Sequence, residues 1–219
     1  MSGSPPPILL TRHGTAEHNL VAEFYMGRSP GSRLLPEGRD QARALGTYLA
    51  RACPVGRVIA SSLPRARETA DIVATVLGGI PVHADDAFWE LCKGDWEGRM
   101  PRDRVPEPER TAWEQRPFDF RFPGGESFAE VETRVVPAFE RWLALHGREP
   151  LLFVLHGDVV CALLRHLLAL PPHRVRTLLV RPCSLTELVR EGGLWRMLRF
   201  SDDGFLAAAA RQGPPPGAD

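Results

Sequence analysis

Ile8-Leu9-Leu10-Thr11-Arg12-His13-Gly14 is a short aliphatic run closed by an arginine, a histidine and a glycine, and Leu151-Leu152-Phe153-Val154-Leu155-His156-Gly157 repeats the run and its His-Gly close, without the arginine, far downstream. Each run is too short and too continuously apolar for an amphipathic helix, and each stops at glycine. Both therefore read as buried strands of a mostly parallel sheet. Parallel strands point their carboxyl ends to one edge, which is where open α/β sheets bind ligands. The pattern predicts two imidazoles meeting at that edge, one with a guanidinium beside it.

The intervening chain supplies the helices such a sheet needs. A loop rich in Gly, Ser, Arg and Pro runs from Gly27 to Pro36, and a helix is expected from Glu37 to Ala52, with Ala42, Leu45, Leu49 and Ala52 on its apolar face. Arg57-Val58-Ile59-Ala60 reads as a second strand, Arg65 to Leu77 as a second helix stopped by Gly78-Gly79, and Ile80 to Ala84 as a short strand. Periodicity breaks down from Trp89 to Gly125, a long insertion of the kind that builds or covers a site. Glu126 to Leu145 and Val159 to Leu170 are expected helices, and Leu185 to Val189 with Leu194 to Phe200 flank Glu191-Gly192-Gly193 as an antiparallel hairpin. The expected fold is a three-layer α/β/α sandwich around a central, mostly parallel sheet. Residues 1–7 are expected to be disordered, 8–205 to form one domain with a loop insertion at 96–125, and 206–219 to be a disordered tail.

Composition narrows the function classes. The 219 residues carry 27 Lys+Arg against 27 Asp+Glu, so no global field favours nucleic acid or an anionic membrane, and any anion site must be local. The start, Met1 to Pro7, lacks a basic region and a long apolar stretch, and no segment approaches the roughly 20 apolar residues of a membrane span. Cys53, Cys92, Cys161 and Cys183 are scattered, as free thiols of a reducing compartment would be. A cytoplasmic protein is the expectation.

Several residues could carry chemistry. The guanidinium of Arg12 beside His13 suits a phosphate or carboxylate, although a surface Arg-His pair at a loop start would give the same three residues. Ser61-Ser62-Leu63-Pro64-Arg65 puts Arg65 at a helix amino terminus, where free backbone amides already favour an anion; a solvated first turn holding Arg65 and Arg67 is the alternative. Glu90 lies among Phe88, Trp89 and Leu91, and such apolar company favours the protonated carboxyl that a general acid needs. Asp95 and Glu97 compete for that role. His156 alone could be an ordinary edge residue, and with Asp158 it makes only a weak metal pair. His18, His83, His146, His166 and His173 read as structural or exposed. A cysteine phosphatase would need arginine six positions after its thiolate, but Ile59, Gly98, Leu167 and Val189 stand there. No Walker loop, dinucleotide fingerprint or His-Glu metalloprotease helix is present.

Taken in order, these segments resemble the histidine phosphatase superfamily, the phosphoglycerate mutase-like proteins. Leu10-Thr11-Arg12-His13-Gly14 with Asn19 is similar to its opening signature. Leu35-Pro36-Glu37-Gly38 with Gln41-Ala42 is similar to its first helix entry, and Ser61 to Ala70 to its Ser-x-Leu-x-Arg-Ala-x-x-Thr-Ala segment. Glu90 with Gly94-Asp95-Trp96-Glu97-Gly98, then Pro123 to Ser127, then His156-Gly157 follow in the family's order, and the similarity runs from about Ile8 to Phe200. The resemblance implies His13 as nucleophile, Glu90 as proton donor and His156 as the second histidine beside the phosphate. It implies Arg12 and Arg65 as phosphate clamps and Asn19 as a further contact, with no metal and no cofactor. The expected activity is hydrolysis of small-metabolite phosphomonoesters through a phosphohistidine. A cofactor-dependent phosphoglycerate mutase is the alternative, disfavoured because Trp96 to Pro123 is short beside the insertion those mutases carry. A catalytically silent phosphate-binding module is the remaining one. Thr15-Ala16 departs from the acidic residue and Thr of many relatives. The only partner implied is a small phosphorylated metabolite, with no nucleic acid and no membrane.

Overall fold

A computed structural model describes residues 6–20, 27–29, 31–98 and 106–212. Six strands form one sheet: β1 (Ile8–Arg12), β2 (Arg57–Ala60), β3 (Val82–Ala84), β4 (Leu151–Leu155), β5 (Leu185–Glu191) and β6 (Leu194–Asp202). Their order is β3-β2-β4-β1-β5-β6. The β3, β2, β4 and β1 neighbours pair in parallel, while β5 runs antiparallel to β1 and β6 antiparallel to β5. The sheet is thus mostly parallel with an antiparallel hairpin at one edge, turned by Gly192 and Gly193, both at positive φ as a tight two-residue hairpin turn requires.

Helices cover both faces. On one side α1 (Pro36–Ala52) and α2 (Pro64–Val76) pack Ala42, Leu45, Leu49, Ala66, Ala70 and Val73 against Leu9, Val58, Ala60, Leu152 and Val154. On the other, α4 (Phe128–His146) and α5 (Gly157–Leu167) pack Val131, Val135, Phe139, Val160 and Leu163 against Ile8, Leu10, Ile59, Phe153 and Leu155. Successive residues of β1 and β4 therefore enter opposite cores, which is why their sequences are continuous apolar runs rather than alternating ones. Every residue of β4 is fully buried, and burying a side chain such as Phe153 contributes about 1.5–3 kcal/mol.

Several boundaries differ from expectation for local reasons. Ser127 caps α4 in a reciprocal capping box with Glu130, so the helix starts at Phe128 rather than Glu126. α5 begins directly at Gly157, with His156 as its cap residue, and ends at Leu167. Within the 96–125 segment, expected to be loop, Glu107–Gln115 forms α3, anchored by buried Trp113 against Phe122 and Phe128. The unstructured tail expected from 206 is corrected as far as Gln212. Gly204–Gln212 is a helix, α6, because Phe205 stacks on Tyr48 of α1 with ring centroids 4.7 Å apart and alanines of high helix propensity follow. The expectations for 1–5 and 213–219 lie outside the described residues. No described helix is long and apolar enough to cross a membrane.

Candidate active site

β1 and β4 are parallel neighbours with Arg12 opposite Leu155, so the residues after them emerge side by side. The His13 N–H donates to the Leu155 carbonyl at 2.9 Å, and the His13 and His156 rings lie edge to face with centroids 5.2 Å apart. Both imidazoles are buried. The hydrogen bonds around His13 fix its tautomer: Nδ1 faces the Gly14 carbonyl at 2.8 Å and must be the donor there, while Arg65 Nε donates to Nε2 at 3.2 Å. Nε2 thus carries the lone pair. Burial first, and then the charge of Arg12, hold the His13 pKa well below its ordinary value, so the ring stays uncharged.

Arg65 is only 1% exposed. Pro64 starts α2 and places Arg65 in its first turn. Besides His13, its guanidinium donates to the Ser29 carbonyl at 3.3 Å and the Gly27 carbonyl at 2.9 Å, all neutral acceptors. Arg12 Nη1 donates to the Val180 carbonyl at 3.1 Å. Two buried side-chain atoms among the described residues have no partner, Arg12 Nε and His156 Nδ1. They belong to the two residues that bracket the β1 and β4 ends, and both can donate. Two guanidinium groups hydrogen-bonded only to neutral acceptors, with unused donors beside a nucleophilic nitrogen, make an anion site.

The loop carrying His13 is locked from behind. Gly14 N–H donates to Thr69 Oγ1 at 3.1 Å, and that hydroxyl donates to the Arg65 carbonyl at 2.7 Å. A Cβ on Gly14 would lie 2.4 Å from the Gly38 carbonyl oxygen, and one on Gly38 would lie 2.1 Å from the Thr15 carbonyl oxygen. The first turn of α1 therefore touches the His13 loop backbone to backbone, which only glycine permits.

Glu90 is 7% exposed, with Oε1 accepting from Leu91 N–H at 2.9 Å and Oε2 facing Asp158 N–H at 3.5 Å. Burial, then repulsion from Asp158, push its pKa up to about 7, against the opposing pull of Lys93. Of its competitors, Glu97 is committed elsewhere: Oε1 accepts from the Arg28 and Lys93 N–H groups, each at 3.0 Å. Asp95 is exposed. Asn19 sits in the short 3₁₀ turn Glu17–Leu20, and its Oδ1 accepts from Ala16 N–H at 2.9 Å, so that oxygen holds the loop.

Comparison with known proteins decides the family. The sequence matches the profile of the histidine phosphatase superfamily (branch 1) over residues 8–203. The chain belongs to that superfamily. It is 33% identical over 192 residues to a protein named probable phosphoglycerate mutase GpmB from Yersinia enterocolitica, covering 86% of each chain. Among solved structures it resembles a putative alpha-ribazole-5'-P phosphatase from Escherichia coli, with TM-score 0.80, 25% identity and coverage of 90% and 97%. It also resembles a mycobacterial glucosyl-3-phosphoglycerate phosphatase, with TM-score 0.80, 26% identity and coverage of 90% and 99%. The three-layer fold and the mixed sheet are thus those of histidine phosphatases.

This histidine phosphatase chain also brings to the site residues that sequence reasoning passed over. His18, read as structural or exposed, lies with its ring 5.4 Å from that of His13, and its Nδ1 meets Ser32 Oγ at 2.7 Å. Burial together with Arg65, Arg12 and Lys93 lowers its pKa to about 3. Its position five residues after His13, next to Asn19, was the available signal. The main-chain oxygen of Glu90 accepts from Arg28 Nε at 3.2 Å and Arg134 Nη2 at 3.3 Å, and both arginines pair with Glu126. That tripod fixes the Glu90 loop, and it joins Arg28 to Glu126 and Arg134 from a segment far along the chain. Asp158 pairs with Lys93 at 3.0 Å, and His156 Nε2 meets Ser61 Oγ at 2.8 Å, so the two side chains of the weak metal pair are engaged with different partners.

Proposed function

We propose that the protein is a phosphohistidine-forming phosphatase that hydrolyses small phosphomonoesters without a metal. The observation that carries this reading is the uncharged His13, whose Nε2 lone pair is set beside Arg65 and whose Nδ1–H is anchored on Gly14. In the first step Arg65 Nε turns its hydrogen bond from Nε2 to a phosphoryl oxygen, the freed lone pair attacks phosphorus, an N–P bond forms as the ester P–O bond breaks, and Glu90 gives its proton to the leaving alkoxide. Arg12, Arg65 and the His156 donor balance charge spreading over the phosphoryl oxygens, which is most of what phosphoryl transfer asks of a protein. In the second step water attacks phosphorus, the Glu90 carboxylate takes its proton, and His13 departs as neutral imidazole. The organic phosphate esters named for the solved relatives support a small-metabolite substrate here, and four free cysteines suit a cytoplasmic setting.

Rapid quench with labelled substrate is the test, and an acid-labile, base-stable phosphoenzyme that disappears in His13→Ala is the expected result. A His13→Ala protein turning over at the normal rate would overturn the assignment. Phosphoglycerate mutase activity, the name carried by the curated relatives, is the second reading. The short Trp96–Pro123 segment favours water as acceptor, so 3-phosphoglycerate with a bisphosphoglycerate primer is expected to yield little 2-phosphoglycerate. Isomerisation exceeding phosphate release by orders of magnitude would reverse that choice.

A further inference from the structure

We infer that Ser61 is a positioning residue that holds His156 in the tautomer protonated on Nδ1, turning the second histidine into a fixed hydrogen-bond donor toward the phosphate. The inference rests on the phosphatase reading for its purpose, and on the hydrogen bonds for its substance. Ser61 follows β2 and is fully buried. Its Oγ accepts from Leu63 N–H at 3.3 Å, one of the unpaired amides at the entry to α2, and lies 2.8 Å from His156 Nε2. A hydroxyl has one proton to give. If Nε2 carried hydrogen, Ser61 Oγ would receive two donors and its own buried proton would have no acceptor among the described residues. If Ser61 donates to Nε2, every group is satisfied and the imidazole hydrogen is on Nδ1.

Nδ1 is the atom of His156 that has no partner, and the other such buried side-chain atom among the described residues is Arg12 Nε. Arg12 Nε reaches the residue that follows His156: a Cβ on Gly157, the first residue of α5, would lie 3.8 Å from it. Two orphaned donors at one strand edge are what a phosphoryl oxygen would occupy. Burial and the charges of Arg65 and Arg12 keep the His156 ring uncharged in the free protein. An uncharged imidazole presents a donor on only one nitrogen, so the choice of nitrogen decides whether His156 attracts or repels the ligand. His13 shows the complementary arrangement, in which Gly14 takes the Nδ1 hydrogen and leaves Nε2 as nucleophile. The two imidazoles thus share a tautomer, with Nδ1 the donor and Nε2 the acceptor in each.

The test is a long-range proton–nitrogen correlation spectrum of ¹⁵N-labelled, full-length, ligand-free protein, with the His156 ring assigned by its loss in His156→Gln. The expected spectrum has hydrogen on Nδ1 and a bare Nε2. Ser61→Ala should mix or reverse the tautomers and weaken binding of inorganic phosphate by roughly 10- to 100-fold, the effect of losing one charge-assisted hydrogen bond. Hydrogen on Nε2 in the wild-type spectrum overturns the inference, and so does an unchanged tautomer in Ser61→Ala. The wild-type spectrum decides even if the variant fails to fold. Because the spectrum needs no turnover, failure of the phosphatase reading would show in the quench experiment and leave this result separately readable.

Discussion

Replacing Glu90 by Gln separates proton donation from shape. The amide keeps the volume and one acceptor for the Leu91 N–H that Glu90 Oε1 now meets at 2.9 Å, but it has no proton to give. With a pKa of about 7, about half of the wild-type enzyme carries the acid at pH 7, and each further pH unit removes roughly tenfold of it. Alkyl phosphates, whose leaving alkoxides need that proton, should lose about 10²- to 10⁴-fold in kcat/KM in Glu90→Gln, while aryl phosphates lose far less. The basic limb near pH 7 should vanish with alkyl substrates. The same burial has a stability cost. The folded pKa is raised from the ordinary 4.5 to about 7, so the unfolded chain ionises first. Stability falls as pH rises between these values, and the loss is complete above the folded pKa, at about 3 kcal/mol. Glu90→Gln should therefore melt higher than wild type at pH 8 and show little difference at pH 4. Initial rates on paired alkyl and aryl esters across pH, with denaturant titrations at both pH values, measure all of this. Equal losses on both substrate classes, or a limb near pH 7 that survives in the variant, would refute the assignment of Glu90 as the acid.

Asp158→Asn removes the main charge that raises Glu90 and releases Lys93 to lower it. The basic limb for alkyl esters should move down by about 1 pH unit, read from the same rate profiles. Activity should survive EDTA, since Arg12, Arg65 and the α2 amino terminus supply the positive charge; complete loss with rescue by one divalent ion would contradict this. Gly38→Ala puts a carbon 2.1 Å from the Thr15 carbonyl oxygen, a backbone atom. It should cost about 1–3 kcal/mol in a denaturant titration and lower kcat by displacing the His13 loop.

How much was legible in the sequence depends on the distance over which each feature is specified. β4 and α2 were readable because a continuous apolar run and a helix entry with Pro64 are local signals. The meeting of His13 and His156 followed from the carboxyl ends of parallel strands sharing an edge. α6 escaped because Phe205 is held by Tyr48, a contact far along the chain, and proline-rich sequence after Gln212 suggested a tail. α3 escaped because its apolar signal is concentrated in Trp113, whose partners Phe122 and Phe128 lie beyond the helix. Glu90 was preferred to Glu97 for its apolar neighbours, yet the pairing of Glu97 with main-chain N–H groups of residues 28 and 93 had no sequence signature. The Arg28–Glu126–Arg134 tripod was invisible for the same reason.

The suppressed charge on the imidazoles makes ligand binding a proton-coupled event. The free site holds His13, His18 and His156 uncharged because it is buried and because Arg12 and Arg65 repel a further cation. A phosphate dianion arriving among them reverses the sign of the local potential and raises the proton affinity of all three rings. Reciprocity then requires that protons favour the dianion as much as the dianion favours protons. Inorganic phosphate binding should draw protons from solution, so its calorimetric heat will scale with the ionisation enthalpy of the buffer. Release of the product will be assisted by rising pH.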